Sequence, residues 1–285
     1  GGLGPPPPPV KDQCLVALAV LAHDRRNVGA FLEETTLRVV ADAALEKGAS
    51  LEAKEAACNF FASVSFDAGG RAALVALGAL DFLLVLSSEE DPGVRRHCAT
   101  CFCNLSVEPG TRGPMVAAGV VTALGTVSNS YAEDTQEACA RCLANLSCAA
   151  GCVATMVREG AVPALMMIVM VRSVQGATKH LCARALLNLT GDDTQGLLLE
   201  EGAAQAFAEL AASQREEATL GLCAQALCMF SCFPAGRRKM VERKRTMEGL
   251  FALVTARDPG TRVNCCRAVC NLLLFEESCH RAAAA

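Results

Sequence analysis

The chain has 285 residues with a formal net charge of -4; the AVILMFWYC set supplies 52% of it, while aromatics supply 4%, with no Trp and one Tyr. So small a charge excludes a general attraction to nucleic acid or acidic membrane, and the longest apolar run, Ala161 to Val171, is too short to cross a bilayer. A core poor in rings must be built from Ala, Leu, Val and Cys, which suits helix-on-helix packing better than a β-sandwich.

Residues 1–9, Gly1-Gly2-Leu3-Gly4 followed by Pro5 to Pro9, read as a Gly/Pro-rich extended linker ahead of an array over 10–285. A polyproline ligand for a small recognition domain is the alternative use of that run. Seventeen cysteines in a chain of this length, with no signal peptide, point to free thiols in a reducing compartment, the cytoplasm or the nucleus.

From Val10 onward the chain repeats itself. Asn104-Leu105-Ser106 returns as Asn145-Leu146-Ser147, Asn188-Leu189-Thr190, Met229-Phe230-Ser231 and Asn271-Leu272-Leu273, with Val20-Leu21-Ala22 and Ser63-Val64-Ser65 as earlier copies. In chain order the spacings are 43, 41, 41, 43, 41 and 42 residues, a period that marks stacked repeats. Gly78, Gly119, Gly160 and Gly202 keep the same period, each between two short apolar runs. Glycine ends a helix by taking positive φ, and a proline such as Pro163 suits the first turn of the next. Each unit is therefore predicted as helix, Gly turn, helix, loop, longer third helix. The first unit keeps only its third helix, from Val10 to about His23.

On the third helix around Asn104, Cys98, Cys101, Phe102 and Leu105 fall on one stripe suited to a core, while His97, Thr100 and Asn104 share another face. Cys98-x-x-Cys101 and Cys139-x-x-Cys142 have the spacing of a zinc site. Register argues against one. Six residues before the anchor stand Cys14, Cys98, Cys139, Cys182, Cys223 and Cys265, with Ala57 in the same slot, and three before it Cys101 and Cys142 alternate with Ala185, Ala226 and Ala268. Interchange with alanine is what packing permits and ligation forbids. Buried structural thiols are expected, with no metal and no cofactor. Cys103, Cys148, Cys152, Cys228, Cys232 and Cys279 lie outside those slots, and no cationic cluster near them marks a reactive thiol.

No phosphate-binding loop, nucleophile elbow, HExxH or dinucleotide fingerprint occurs, and His23, His97, His180 and His280 are scattered. No catalytic residue is assigned, and no enzyme is expected.

The repeats resemble the armadillo family. The Gly before the second helix and the pattern small-small-x-small-Leu-x-Asn-Leu on the third carry the resemblance, seen in CARCLANLS and CARALLNLT. It implies an all-α, right-handed α-α superhelix of about seven repeats, the first and last incomplete; HEAT repeats are the alternative. It also implies a protein–protein interaction scaffold or adaptor, with third helices lining a concave groove and the anchor Asn bonding the backbone of an extended peptide. On this chain that ladder is Asn104, Asn145, Asn188 and Asn271, broken at Met229. One turn earlier on the same face stand Arg141, Arg184 and Arg267, with Thr100 and Gln225 in the remaining copies. The importin-α branch places tryptophans there and grips basic signals. This chain has none, and its arginines favour an acidic segment, as in the catenin branch. Glu137, one turn before Arg141, is a competing partner for it. A second candidate surface is the basic patch Arg237, Arg238, Lys239, Arg243, Lys244 and Arg245, suited to acidic tails, phosphates or an import receptor. The alternative role is an architectural subunit of a large assembly such as a ciliary axoneme, which would place the chain on the cytoskeleton; a nuclear transport receptor is disfavoured by the missing tryptophans.

Overall fold

The computed structural model describes residues 9–130, 132–171, 174–191 and 193–274, so residues 1–8 of the expected linker, Cys279 and His280 lie outside the described part. The described residues form helices and turns, without a strand. The chain divides into two compact units, 1–142 and 143–285.

In the first unit, α1 (Val10–Ala22) is the lone third helix expected at this end. It is followed by α2 (Val28–Phe31), α3 (Glu34–Leu45) and α4 (Leu51–Ser65), then α5 (Ala68–Ala76), α6 (Ala79–Ser87) and α7 (Pro92–Val107), then α8 (Pro109–Ala117), α9 (Val120–Val127) and α10 (Glu133–Leu146), whose last residues begin the second unit. Third helix packs on third helix, α1 on α4 and α4 on α7. Side-chain caps begin α4, α5 and α7: Ser50 accepts from the N–H of Ala53, Asp67 from those of Gly69 and Gly70, and Asp91 from that of Val94. Gly78 and Gly119 turn first helix into second at φ 80° and 90°, left-handed geometry that suits a residue without Cβ. Aromatics are few but concentrated, with Phe61 tilted against Phe82 at 4.7 Å between ring centres and edge-on to Phe60 at 5.5 Å.

The second unit continues with α11 (Val153–Arg158), α12 (Ala161–Met170) and α13 (Gly176–Asn188), then α14 (Gln195–Glu200), α15 (Ala203–Ser213) and α16 (Glu217–Ser231), then α17 (Pro234–Glu242), α18 (Lys244–Val254) and α19 (Pro259–Leu273). Here α13 packs on α16 and α16 on α19, while the second helices α12, α15 and α18 form their own layer. Gly160 and Gly202 repeat the left-handed turn at φ 91° and 89°; in the last repeat Arg243 makes the turn at φ -111°. Among the described residues no single helix is long and apolar enough to cross a membrane.

The thiol slots behave as alanine slots. Cys98, Cys101, Cys139, Cys142, Cys182, Cys223 and Cys265 are sealed in the core with Ala57, Ala185, Ala226 and Ala268. Burial pushes the Cys182 thiol up to about 12 and the Cys103 thiol to about 11, which keeps both protonated and inert. Cys14 is the exception. It lies on α1 and is exposed.

Candidate functional site

The anchor asparagines are tied into the repeats. In the first unit Asn104 Nδ2 donates to Ser65 Oγ at 2.9 Å and to the Ala62 carbonyl at 3.4 Å. Ser65 gives its own hydroxyl hydrogen to that same carbonyl at 2.6 Å, so its oxygen can only accept from the asparagine. The second unit repeats the device. Asn188 donates to Ser147 Oγ at 3.1 Å and Asn271 to Ser231 Oγ at 3.0 Å, while both serines donate to the carbonyl three residues back. Asn188 also reaches Cys148 Sγ at 3.4 Å. These amide hydrogens therefore hold one repeat to the next and are not poised for a peptide carbonyl, as the ladder expectation had it. In Asn104, Asn188 and Asn271 the oxygen Oδ1 is the amide group left for a ligand N–H. Asn145, on α10, is half-buried. The sequence signal for this device is the Ser two residues after the anchor, at 65, 106, 147 and 231.

The other expected site residues divide by unit. In the first, Thr100 turns back into its own helix and donates to the Arg96 carbonyl at 2.9 Å. Arg141 is exposed but ion-paired with Glu137 one turn earlier. His97 Nε2 lies 3.7 Å from Glu55 Oε1, and its side chain is only 16% exposed. Burial first, then the Arg96 charge, pulls its pKa down to about 4, so it is neutral at pH 7. Val16, Val20, Glu52, Glu55 and Asn59 share a shallow groove with His97, which leaves this face with acidic groups.

In the second unit Arg184 is half-buried one turn before Asn188, and its Nε is buried without a hydrogen-bond partner. Arg267 is exposed one turn before Asn271, with Gln225 exposed and Met229 half-buried on α16 between them. His180 Nδ1 donates to Thr219 Oγ1 at 2.9 Å, and that hydroxyl donates to Glu216 Oε2 at 2.7 Å. The hydrogens run towards the carboxylate. No base faces the Thr219 hydroxyl through His180, so the trio is not arranged for nucleophilic attack.

The basic patch is thinner than its sequence suggests. Arg237 folds over the end of α16 and donates to the Ser231 and Cys232 carbonyls, both at 3.1 Å. Arg71 and Arg112 make the same clasp on α4 and α7, a role sequence reasoning missed. Arg245 pairs with Glu209 at 3.1 Å. Arg238, Lys239, Arg243 and Lys244 are exposed. Among the described residues no three His, Cys, Asp or Glu side chains are grouped to hold a metal ion.

No protein-family model matches the sequence, and no curated protein does. Solved structures do. A computationally designed armadillo repeat protein for modular peptide recognition aligns with TM-score 0.66 at 14% identity, over 84% of this chain and 99% of that one. A designed armadillo repeat protein in complex with the peptide (KR)4 aligns with TM-score 0.58 at 14% identity, over 90% and 99%. Another designed armadillo repeat protein aligns with TM-score 0.58 at 15% identity, over 92% of both chains. Likeness at such identities speaks for fold, and together with the helix–Gly–helix–helix units it makes this chain an all-α array of armadillo-type repeats.

Proposed function

We propose that the chain is a non-enzymatic peptide-binding scaffold whose second unit takes an extended acidic segment of another protein along α13, α16 and α19. The observation that carries this is Arg184, whose Nε is buried without a partner. A buried donor left unmet costs about 1–3 kcal/mol, and a guanidinium that turns to meet an incoming carboxylate recovers that in a charge-assisted bond. The amide oxygens of Asn188 and Asn271 accept backbone N–H groups on either side of α16, and Arg267 offers a second cation one turn from Asn271. The first unit is left out of the acidic site because Glu137 already answers Arg141 and Glu55 stands beside His97. The structural relatives support a peptide ligand in kind: one is designed for modular peptide recognition and one is in complex with (KR)4. A Lys-Arg peptide would meet Arg184 and Arg267 with like charge here.

Fluorescence anisotropy with a labelled Glu/Asp-rich peptide and a Lys-Arg repeat peptide tests the proposal. The acidic peptide binds, more weakly at high salt, and Arg184→Glu or Arg267→Glu lowers its affinity by roughly tenfold or more. Arg141→Glu leaves it unchanged. Tighter binding of the basic peptide, or indifference to both second-unit reversals, would overturn the assignment.

A further inference from the structure

Four thiols outside the packing slots come together in the second unit. Cys228 and Cys232 on one side and Cys266 and Cys270 on the other line an open groove of about 650 Å³ between α16 and α19, together with Arg262 and Arg267. Each pair is spaced four residues apart, which puts both sulfurs on one face of a helix. Cys232, Cys266 and Cys270 are exposed and Cys228 is half-buried. Asn271 sets the register, with Nδ2 3.7 Å from Cys232 Sγ beside its 3.0 Å bond to Ser231.

The cations belong to the same place. Arg267 stands one turn before Asn271; burial, then the neighbouring Cys232, raises the Cys228 thiol, and the Arg267 guanidinium offsets only part of that rise. Arg262 donates through Nη1 to the Ala256 and Arg257 carbonyls and lies within electrostatic reach of Asp258, the N-cap of α19. Among the described residues no aspartate or glutamate lines the groove. Nor do the thiols converge on a point where three could share a metal ion. Accessible thiols beside exposed guanidinium groups suit exchange with a disulfide that carries carboxylates.

We propose that this groove captures an acidic low-molecular-weight disulfide of the small-peptide class as a mixed disulfide, with Cys232 as the attacking thiol and Arg267 and Arg262 receiving its carboxylates. Cys232, deprotonated, attacks one sulfur of R–S–S–R′; the S–S bond breaks, Cys232–S–S–R forms, and R′–S⁻ leaves and takes up the proton that Cys232 released. The incoming disulfide is the oxidant, and an excess of small thiol reverses the step. Peptide binding is not required, because the reaction is one of the unliganded chain.

The reduced full chain, incubated separately with oxidised glutathione and with cystamine and followed by intact mass and peptide mapping, gives the test. Glutathione disulfide is anionic and cystamine cationic, while the protein's net charge of -4 by itself favours the cation. The adduct is expected at Cys232, forming about tenfold faster with glutathione disulfide at low salt. Arg267→Glu should remove that preference, Cys232→Ala should remove the adduct, and dithiothreitol should reverse it. Equal or faster reaction of cystamine overturns the proposal, as does first modification at Cys14 or Cys148, which are exposed outside the groove. An adduct at Cys266 or Cys270 instead overturns the choice of Cys232. The comparison of the two disulfides on the unaltered chain decides the matter even if a variant misfolds.

Discussion

His97 shows how a polar side chain on the third-helix face is used to pack as well as to face outward. Its depressed pKa, about 4 against 6.5 for a free imidazole, means that the unfolded chain takes up a proton between those values while the folded chain does not. Stability therefore falls as pH drops from about 6.5 to about 4 and is insensitive to this group above and below that window. At about 1.4 kcal/mol for each pH unit between those two values, the loss should be roughly 3 kcal/mol at most. Thermal midpoints of the parent and of His97→Gln, measured from pH 7 to pH 4, check this: the variant's curve should be flatter through the window. Parallel curves would show that the imidazole is freely solvated. The anchor asparagines make a related point. Their recurrence was legible in the sequence, but their partner was not, since Ser65, Ser147 and Ser231 become acceptors only when one repeat lies against the next.

At the scale of helices, what the sequence made legible was local. Positive φ at Gly78, Gly119, Gly160 and Gly202 is a property of glycine itself, and the core stripe of Cys98, Cys101, Phe102 and Leu105 follows from helical periodicity. The arginine clasp was less visible because, among the described third helices, it closes only α4, α7 and α16, through Arg71, Arg112 and Arg237, and because its acceptors are backbone carbonyls. Arg112 reaches back six residues, Nε to the Ser106 carbonyl at 2.8 Å and Nη2 to the Val107 carbonyl at 3.0 Å, where α7 ends and α8 departs. A cation at a helix C-terminus is favoured by the dipole and satisfies carbonyls that have no intrahelical partner. Arg112→Met keeps the apolar stem and removes both bonds, so it should lower stability by about 1–2 kcal/mol. Urea titration followed by circular dichroism measures this; Lys239→Met, on an exposed residue of α17, gives the surface comparison. Equal, negligible losses in both variants would show that water caps α7 as well as Arg112 does.

Across the whole molecule, stability is set between neighbouring helices, since in repeat arrays each unit rests on the next and opening can begin where packing is thinnest. The interchange of cysteine with alanine, which identified the packing slots in the sequence, also places natural reporters inside those contacts. Acidic-ligand selectivity was the part least legible there: Arg141, Arg184 and Arg267 share a register, yet only the structure separates the one paired with Glu137 from the one whose Nε lacks a partner. Within the second unit, Cys223 lies on α16, packed between α13 and α19, whereas Cys265 lies on α19, whose Val263, Cys266 and Leu273 are exposed. A pulse of thiol reagent in sub-denaturing urea should therefore modify the exposed Cys148, Cys232, Cys266 and Cys270 at once, then Cys265, and only later Cys223 and Cys182. Peptide mapping after quench gives the order directly. Simultaneous loss of protection at Cys265 and Cys223 would mean that α16 and α19 open as one cooperative block, with the bond from Asn271 to Ser231 breaking in the same event as the rest of the unit.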